Sequence, residues 1–194
     1  MGLKSSLWPW TSLPETLFVP ERLMDNIEEL WDRMFHDPQH NEQGACIVFD
    51  AECILKLDDH VIGESSHAVK PTCLVGERPD HLGFFHTHWL LDGDAQVGFS
   101  HLDFAGVLED GESLSLVCSA NQIFALMRTA KSPEPAPVSK AREREFLEVF
   151  IHYIRKGLRS NDAARMANHD LCRRLGLAFY AGRLRQPLNL EVAP

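Results

Sequence analysis

The sequence predicts a fold that contains both helices and strands (α/β in the broad sense, more narrowly α+β). In this fold a mixed or antiparallel β-sheet is flanked by helices. Three observations lead to this prediction. Short, apolar, β-prone runs follow one another between residues 45 and 129 with few helical intervals. An amphipathic helical pattern precedes them, and two longer helical patterns come after a proline-rich segment. The first helix is therefore expected to pack against one face of the sheet, and the last two to form a C-terminal helical extension.

The composition is that of a globular protein with room for a substantial core. The chain has 194 residues, of which 44% are hydrophobic and 24% charged, and these are ordinary values for such proteins. No apolar run approaches the roughly 20 residues that a membrane span needs, and the first ten residues lack a signal-peptide pattern. The five cysteines are scattered and never spaced C-x-x-C. We therefore expect reduced thiols in a cytoplasmic protein without a membrane partner.

Charge is distributed unevenly along the chain. The net charge of −9 argues against nucleic acid as a partner. Residues 139–194 nevertheless contain 11 Lys and Arg against 6 Asp and Glu, whereas residues 1–138 contain 8 against 22. Either the basic segment packs against the acidic body and complements it, or it offers a basic face, including Arg173 and Arg174, to an acidic partner.

Helix boundaries and segment boundaries follow from periodicity and turn residues. The first helix should begin at Pro20 and end near His36, because a helix seldom continues into a proline such as Pro38. A short helix should begin at Ser100. The two C-terminal helices are expected over residues 139–157 and, from an Asn161-Asp162 cap, over residues 161–181.

The strands and the domain organisation are predicted in the same way. Strands are expected over residues 45–49, 53–57, 60–62, 69–75, 82–85, 113–119 and 122–129. Four segments result: an irregular arm with Trp8-Pro9-Trp10 (1–19), a main domain (20–130), a proline-rich linker (131–138) and a basic helical extension (139–194).

The stretch Phe84-Phe85-His86-Thr87-His88 contains the strongest candidate for a functional site. It ends a buried strand run, and residues i and i+2 of an extended chain face the same way, so His86 and His88 can converge while Thr87 faces away. Asp103 offers a carboxylate from a different element. Two imidazoles and one carboxylate, with a fourth position open, are the ligand set of a hydrolytic zinc centre.

Each of these features also has a plain structural explanation. Paired histidines on a strand often lie at the edge of a core, and the chain has 10 histidines. The pattern Ser100-x-x-Asp103 is that of a helix N-cap with an acid three residues later. The occurrence of both features in this order, within 18 residues, favours a metal site over coincidence.

The pattern His-x-His followed by Ser-x-x-Asp resembles that of the JAB1/MPN/Mov34 (JAMM) metalloproteases, which include small stand-alone JAB proteases of bacteria. The resemblance covers about residues 20–130. It implies a JAB/MPN-like sheet flanked by helices, in a three-layer architecture related to that of cytidine deaminases. It further implies a zinc isopeptidase that removes ubiquitin or ubiquitin-like proteins.

The family also uses an upstream glutamate beside a glycine and an apolar run. Glu42, in Glu42-Gln43-Gly44, fits this description; Glu52 and Glu64 compete with it, but Glu42 lies between a helix and a buried strand. The resemblance then implies that Glu42 takes a proton from a zinc-activated water and passes it to the leaving amine. Ser100 would donate a hydrogen bond to the developing oxyanion. The leaving amine would be a lysine side chain or a backbone amine.

Two departures from the family pattern concern the loop after the histidines. Trp89 stands where the family usually has proline, and 14 residues separate His88 from Asp103, more than is usual. Surface loops tolerate such extra length. The segment Trp89-Leu90-Leu91 is therefore a candidate lid or contact for the extended C-terminal tail of a substrate.

Other functions stay open at this stage. One is a catalytically inactive MPN-like interaction module in a larger complex. A zinc deaminase would need a P-C-x-x-C run, and the sequence has none. For the protease, the expected partner is a ubiquitin-like protein or its conjugates, such as a modifier from a conjugation operon, with a sulfur-carrier protein or a fusion to one as the alternative.

Overall fold

The computed structural model describes residues 13–64, 69, 78–91, 94–95 and 98–191. The helices in these ranges are α1 (Glu21–His36), α2 (His101–Asp110), α3 (Lys140–Arg155) and α4 (Ser160–Leu175). The strands are β1 (Thr16–Leu17), β2 (Gln43–Phe49), β3 (Leu55–Ile62), β4 (His81–His88), β5 (Leu90–Leu91), β6 (Asp94–Ala95), β7 (Leu114–Ser119), β8 (Gln122–Arg128), β9 (Leu177–Arg183) and β10 (Leu188–Leu190).

Eight of these strands form one mixed sheet, in the spatial order β1-β10-β9-β8-β7-β4-β2-β3. Neighbouring strands are antiparallel except β4 and β7, which run parallel. A parallel pair needs a crossover connection, and α2 lies in the chain between these two strands. The prediction of a mixed sheet accompanied by helices is confirmed.

The helices cover both faces of the sheet. One cluster joins apolar side chains of α1 to one strand face and includes Leu23, Ile27, Ala45, Phe85 and Leu116. A second cluster joins α2, α3 and α4 to the opposite face and includes Phe104, Phe146, Leu171, Val117 and Phe179. Leu116 and Val117 are adjacent and belong to different clusters because successive side chains of a strand alternate between its faces. The result is a helical layer, a sheet and a second helical layer.

The limits of α1 agree with the prediction. The helix begins after Pro20, which has a φ of −56° and so suits a helix start. It ends at His36, where the Asp37 amide donates to the carbonyls of Arg33 and Met34. Pro38 follows at once.

The predicted end of the last helix is wrong. The helix α4 ends at Leu175 and not at residue 181, because Gly176 adopts a left-handed φ of +63° and the following residues form β9. Its N-cap is Arg159, which makes no side-chain capping hydrogen bond, so the predicted Asn161-Asp162 cap is also wrong.

The segment 139–194 is consequently not purely helical. The strand β9 pairs with β8 along its whole length, and β10 pairs with both β9 and β1. Part of the predicted irregular arm therefore belongs to the sheet, since Thr16 lies opposite Asn189. The Tyr180 hydroxyl also donates a 2.8 Å hydrogen bond to the Pro14 carbonyl. The Trp8-Pro9-Trp10 run lies outside the described residues.

Two strand predictions are corrected in the region after β2. Residues 53–57 and 60–62 were expected to be separate strands, but β3 is continuous from Leu55 to Ile62. Cys53 belongs to the turn, with a φ of +60°, and the Asp50 carboxylate accepts hydrogen bonds from the amides of Glu52 and Ile54 there. The strand expected at 69–75 falls almost wholly outside the described residues.

Within the described part of the chain, ion pairs connect the basic C-terminal segment to the acidic body at Arg185. Arg185 bridges Asp25 and Glu28 of α1, at 2.8 and 2.5 Å. Arg173 and Arg174 instead pair with Asp170 on their own helix, at 2.9 and 2.7 Å. A role for these two arginines in binding an acidic partner stays a prediction.

Among the cysteines in the described ranges, Cys46 departs from the expectation of reduced thiols. Cys53 is exposed and free, and Cys118 and Cys172 are buried and free. Cys46 in β2 is disulfide-bonded.

Among the helices of the described ranges, none is long and apolar enough to cross a membrane.

Candidate metal centre

His86 and His88 point the same way at the end of the buried strand β4. Both are buried, and their Nε2 atoms lie 3.0 Å apart. Thr87 faces the other side, where its Oγ accepts a 2.9 Å hydrogen bond from the Gln43 amide of β2. This is the arrangement expected from the alternation of side chains along a strand.

Asp103 reaches the histidines from the first turn of α2. Its Oδ1 lies 3.1 Å from Nε2 of His86, and its Oδ2 lies 3.8 Å from Nε2 of His88. Ser100 is the N-cap of this helix: its Oγ accepts from the Asp103 amide at 3.3 Å, and its own amide donates to Asp103 Oδ2 at 2.6 Å. Ser100 and Asp103 therefore form the predicted capping box. The Asp103 carboxylate that takes part in it also faces the two imidazoles.

The donor atoms of His86, His88 and Asp103 have the separations that one metal ion requires. All lie within 4.8 Å of one another. Ligand atoms about 2.0–2.1 Å from a tetrahedral metal stand about 3.4 Å apart, and the Nε2–Nε2 and Nε2–Oδ1 distances here are 3.0 and 3.1 Å. Imidazole nitrogen and carboxylate oxygen are a donor set that transition metals accept. The buried triad can hold a metal ion.

The electrostatics of the triad favour a positive charge at its centre. Burial lowers the pKa of His86, but the charge and hydrogen bond of Asp103 act in the opposite direction and the net shift is upward. Burial raises the pKa of Asp103, yet His86, His88 and the Ser100 amide together hold it well below its usual range. A proton and a metal ion would therefore compete for the same site.

Glu42 lies beside this triad, directly before β2. The strands β2 and β4 pair with Gly44 opposite His86, and continuing that register by two residues places Glu42 opposite His88. Its side chain is 3% exposed. The pKa of Glu42 is raised to about 8, mainly by burial; the charge of His86 opposes this shift and that of Asp103 adds to it.

The two competing glutamates are exposed, whereas Glu42 is buried. Glu52 is exposed in the turn between β2 and β3, at the end of β2 away from Glu42. Glu64 is exposed just beyond the end of β3. Of the three candidates, Glu42 is the one that the sheet register brings to the histidines.

Trp89 forms part of an aromatic cluster at the rim of the site. Its ring stacks on His40 with centroids 3.6 Å apart and 5° between the planes, and it contacts Phe35 at 6.0 Å. Phe35 is 51% exposed. The backbone of Leu90-Leu91 forms β5, which pairs with β6 in a small separate hairpin, so the segment predicted as a loop contains two short strands.

Several polar groups around the site were not predicted from the sequence. Glu112 is buried, and its pKa is raised to about 8 by burial and by Asp110, with an opposing effect of His86. Ser119 lies beside His88 in the β4–β7 register, and its buried Oγ has no hydrogen-bond partner among the described residues. His40 and Phe35 were missed as partners of Trp89, although an aromatic residue off the apolar stripe of α1 was a usable signal.

Comparison with known proteins gave no match to a family model, to a curated protein or to a solved structure.

Proposed function

We propose that the protein is a zinc-dependent amide hydrolase of the JAMM kind, with a JAB/MPN-like main domain. The observation that carries this proposal is the convergence of His86, His88 and Asp103, with donor atoms within 4.8 Å, beside the buried carboxyl of Glu42. Zinc is the metal we infer, because a buried set of two imidazoles and one carboxylate leaves a fourth tetrahedral position open for a reactant.

A bound zinc ion would acidify a water molecule and polarise the carbonyl of the substrate. The residues of the chain supply the proton transfers. Glu42 is the proposed acceptor of a proton from the attacking water, because its carboxyl is buried beside the histidines and a neighbouring metal cation would favour its ionised form. It would pass the proton to the amine nitrogen as the carbon–nitrogen bond breaks.

Ser100 is the proposed donor to the oxyanion that develops on the substrate carbonyl. Its Oγ already accepts from the Asp103 amide, and a hydroxyl that accepts one hydrogen bond keeps its own O–H for another acceptor. The capping box holds Ser100 and Asp103 on one rigid helix start, so the proposed metal ligand and the oxyanion donor keep a constant relative position.

The proposed substrate is a ubiquitin-like protein or its conjugate, cleaved after the modifier's extended C-terminal tail. The Trp89 rim cluster supports this choice, because stacked aromatic rings beside a buried metal centre offer a flat apolar contact for an extended peptide. Leu90-Leu91 is proposed to contact the same tail. A cytoplasmic modifier from a conjugation operon is the first candidate, with a sulfur-carrier fusion as the second.

The test combines metal content with cleavage of a modifier carrying a C-terminal amide extension. Glu42→Gln should retain stoichiometric zinc and lose about 10²–10⁴-fold in kcat. Glu52→Gln, an exposed glutamate at the far end of β2, is the matched control and should be fully active. Cleavage that survives Glu42→Gln would refute the mechanism, and a wild-type protein that binds no metal would instead support the non-catalytic interaction module.

A further inference from the structure

A buried asparagine of α4 holds the segment that leads into α2. The Asn168 side chain is 0% exposed. Its Oδ1 accepts a 2.8 Å hydrogen bond from the Phe99 amide, and its Nδ2 donates a 2.8 Å hydrogen bond to the Phe99 carbonyl. One side chain thus satisfies both backbone polar groups of one residue, across 69 positions of sequence.

The pairing requires an amide side chain. An amide presents one acceptor and two donors in a plane, whereas a carboxylate of the same shape has no donor for the Phe99 carbonyl. Because Phe99 is buried, loss of either partner would leave a desolvated backbone group without a hydrogen bond.

The neighbouring residues are adapted to this contact. Gly98 has a φ of +80°, and a Cβ at that position would lie 2.5 Å from Asn168 Oδ1. The Phe99 ring packs edge-on against Phe104 and Phe179, with centroids 6.4 and 6.3 Å away. The chain is therefore held by both its backbone and its side chain immediately before Ser100.

We propose that Asn168 is a positioning residue for the metal centre. It fixes Phe99, and the next residue along the chain, Ser100, is the N-cap whose capping box orients Asp103 toward His86. The C-terminal segment thereby contributes to the geometry of the site on the main domain. The effect on metal affinity rests on the proposed function, whereas the effect on the start of α2 does not.

The experiment compares Asn168→Ala with Cys172→Ala by two measurements. Cys172 is buried on the same helix as Asn168 and belongs to the apolar cluster that contains Phe99, so Cys172→Ala reports general loss of packing. In the metal-free protein, Asn168→Ala should accelerate hydrogen exchange of the Phe99, Asp103 and Phe104 amides by about tenfold or more relative to amides of α3. Zinc affinity, measured by competition with a chelator, should fall about 10- to 100-fold.

The Cys172→Ala control should lower the melting temperature and change neither the local exchange nor the zinc affinity. If Asn168→Ala does not fold, Asn168→Asp takes its place, since it keeps the acceptor and loses the donor. The proposal would be overturned if the Phe99, Asp103 and Phe104 amides stayed as protected in Asn168→Ala as in the Cys172→Ala control and the two variants bound zinc with equal affinity. If the wild-type protein binds no zinc, the proposed function fails, and hydrogen exchange alone decides the role of Asn168.

Discussion

Oδ1 of Asp103 lies 3.1 Å from Nε2 of His86, although the two residues belong to different elements. The other oxygen of the same carboxylate accepts from the Ser100 amide. Asp103 therefore both begins a helix and completes a metal triad. The two roles can be separated experimentally, because only the second depends on a negative charge.

Asp103→Asn should weaken zinc binding on the order of 100-fold or more while leaving α2 intact, because the amide oxygen can still accept from Ser100. Chelator competition measures the affinity, and far-ultraviolet circular dichroism checks the fold. Asp110→Asn removes an equal charge from the other end of α2 and should bind zinc like the wild type. Equal affinity in both variants would exclude Asp103 as a ligand.

Ser100→Ala tests the proposed oxyanion donor, and Ser139→Ala, at the N-cap of another helix, is the matched control. Ser139 is the N-cap of α3 and accepts from the Arg142 amide at 3.2 Å, far from the triad in sequence. Each serine-to-alanine change should lower the free energy of unfolding by about 1 kcal/mol. Only Ser100→Ala should also reduce kcat, by about 10²–10³-fold. Similar kinetics for the two variants would limit Ser100 to a capping role.

The stability of the metal-free protein should fall as pH rises from about 4.5 to 8. Burial raises the pKa values of Glu42 and Glu112 to about 8, so the native state binds more protons than the unfolded state throughout this window. The raised pKa of His86 acts with the same sign, since its stabilising charge is lost as pH rises. Each group contributes at most about 1.4 kcal/mol per pH unit.

Urea unfolding in the presence of a chelator, at several pH values, measures this dependence. Glu42→Gln and Glu112→Gln should each reduce the slope, because a neutral amide does not titrate. Glu52→Gln, at an exposed position, should leave the slope unchanged. The lowered pKa values of His60 and His169 act with the opposite sign in the lower part of this window, so the comparison of slopes decides: slopes of Glu42→Gln and Glu112→Gln equal to that of the wild type would contradict the burial of these carboxyls as acids.

Trp89→Ala should raise KM for a ubiquitin-like substrate about tenfold with little change in kcat, because the ring packs on His40 and Phe35 at the rim of the site. Trp89→Phe keeps an aromatic face for His40 and should retain most of the affinity. A loss confined to kcat would instead indicate that Trp89 supports the adjacent His88.

Local features of the site could be read from the sequence because they depend on short-range geometry. His86 and His88 share a face through the two-residue period of a strand, and Ser100 and Asp103 form a capping box through the three-residue span of a helix start. The end of α1 before Pro38 has the same local origin. Each of these predictions involves groups fewer than five residues apart.

Relationships across the sheet were decided only by the tertiary structure. The register of β2 on β4 brings Glu42 to His88, and the sequence suggested this glutamate only through a family resemblance. The apolar run after Gly176 suits a helix or a strand equally, and pairing with β8 made it a strand. Asn168 acquires its partner from 69 residues away. Periodicity carries no information at that range, because long-range hydrogen bonds depend on how whole layers pack.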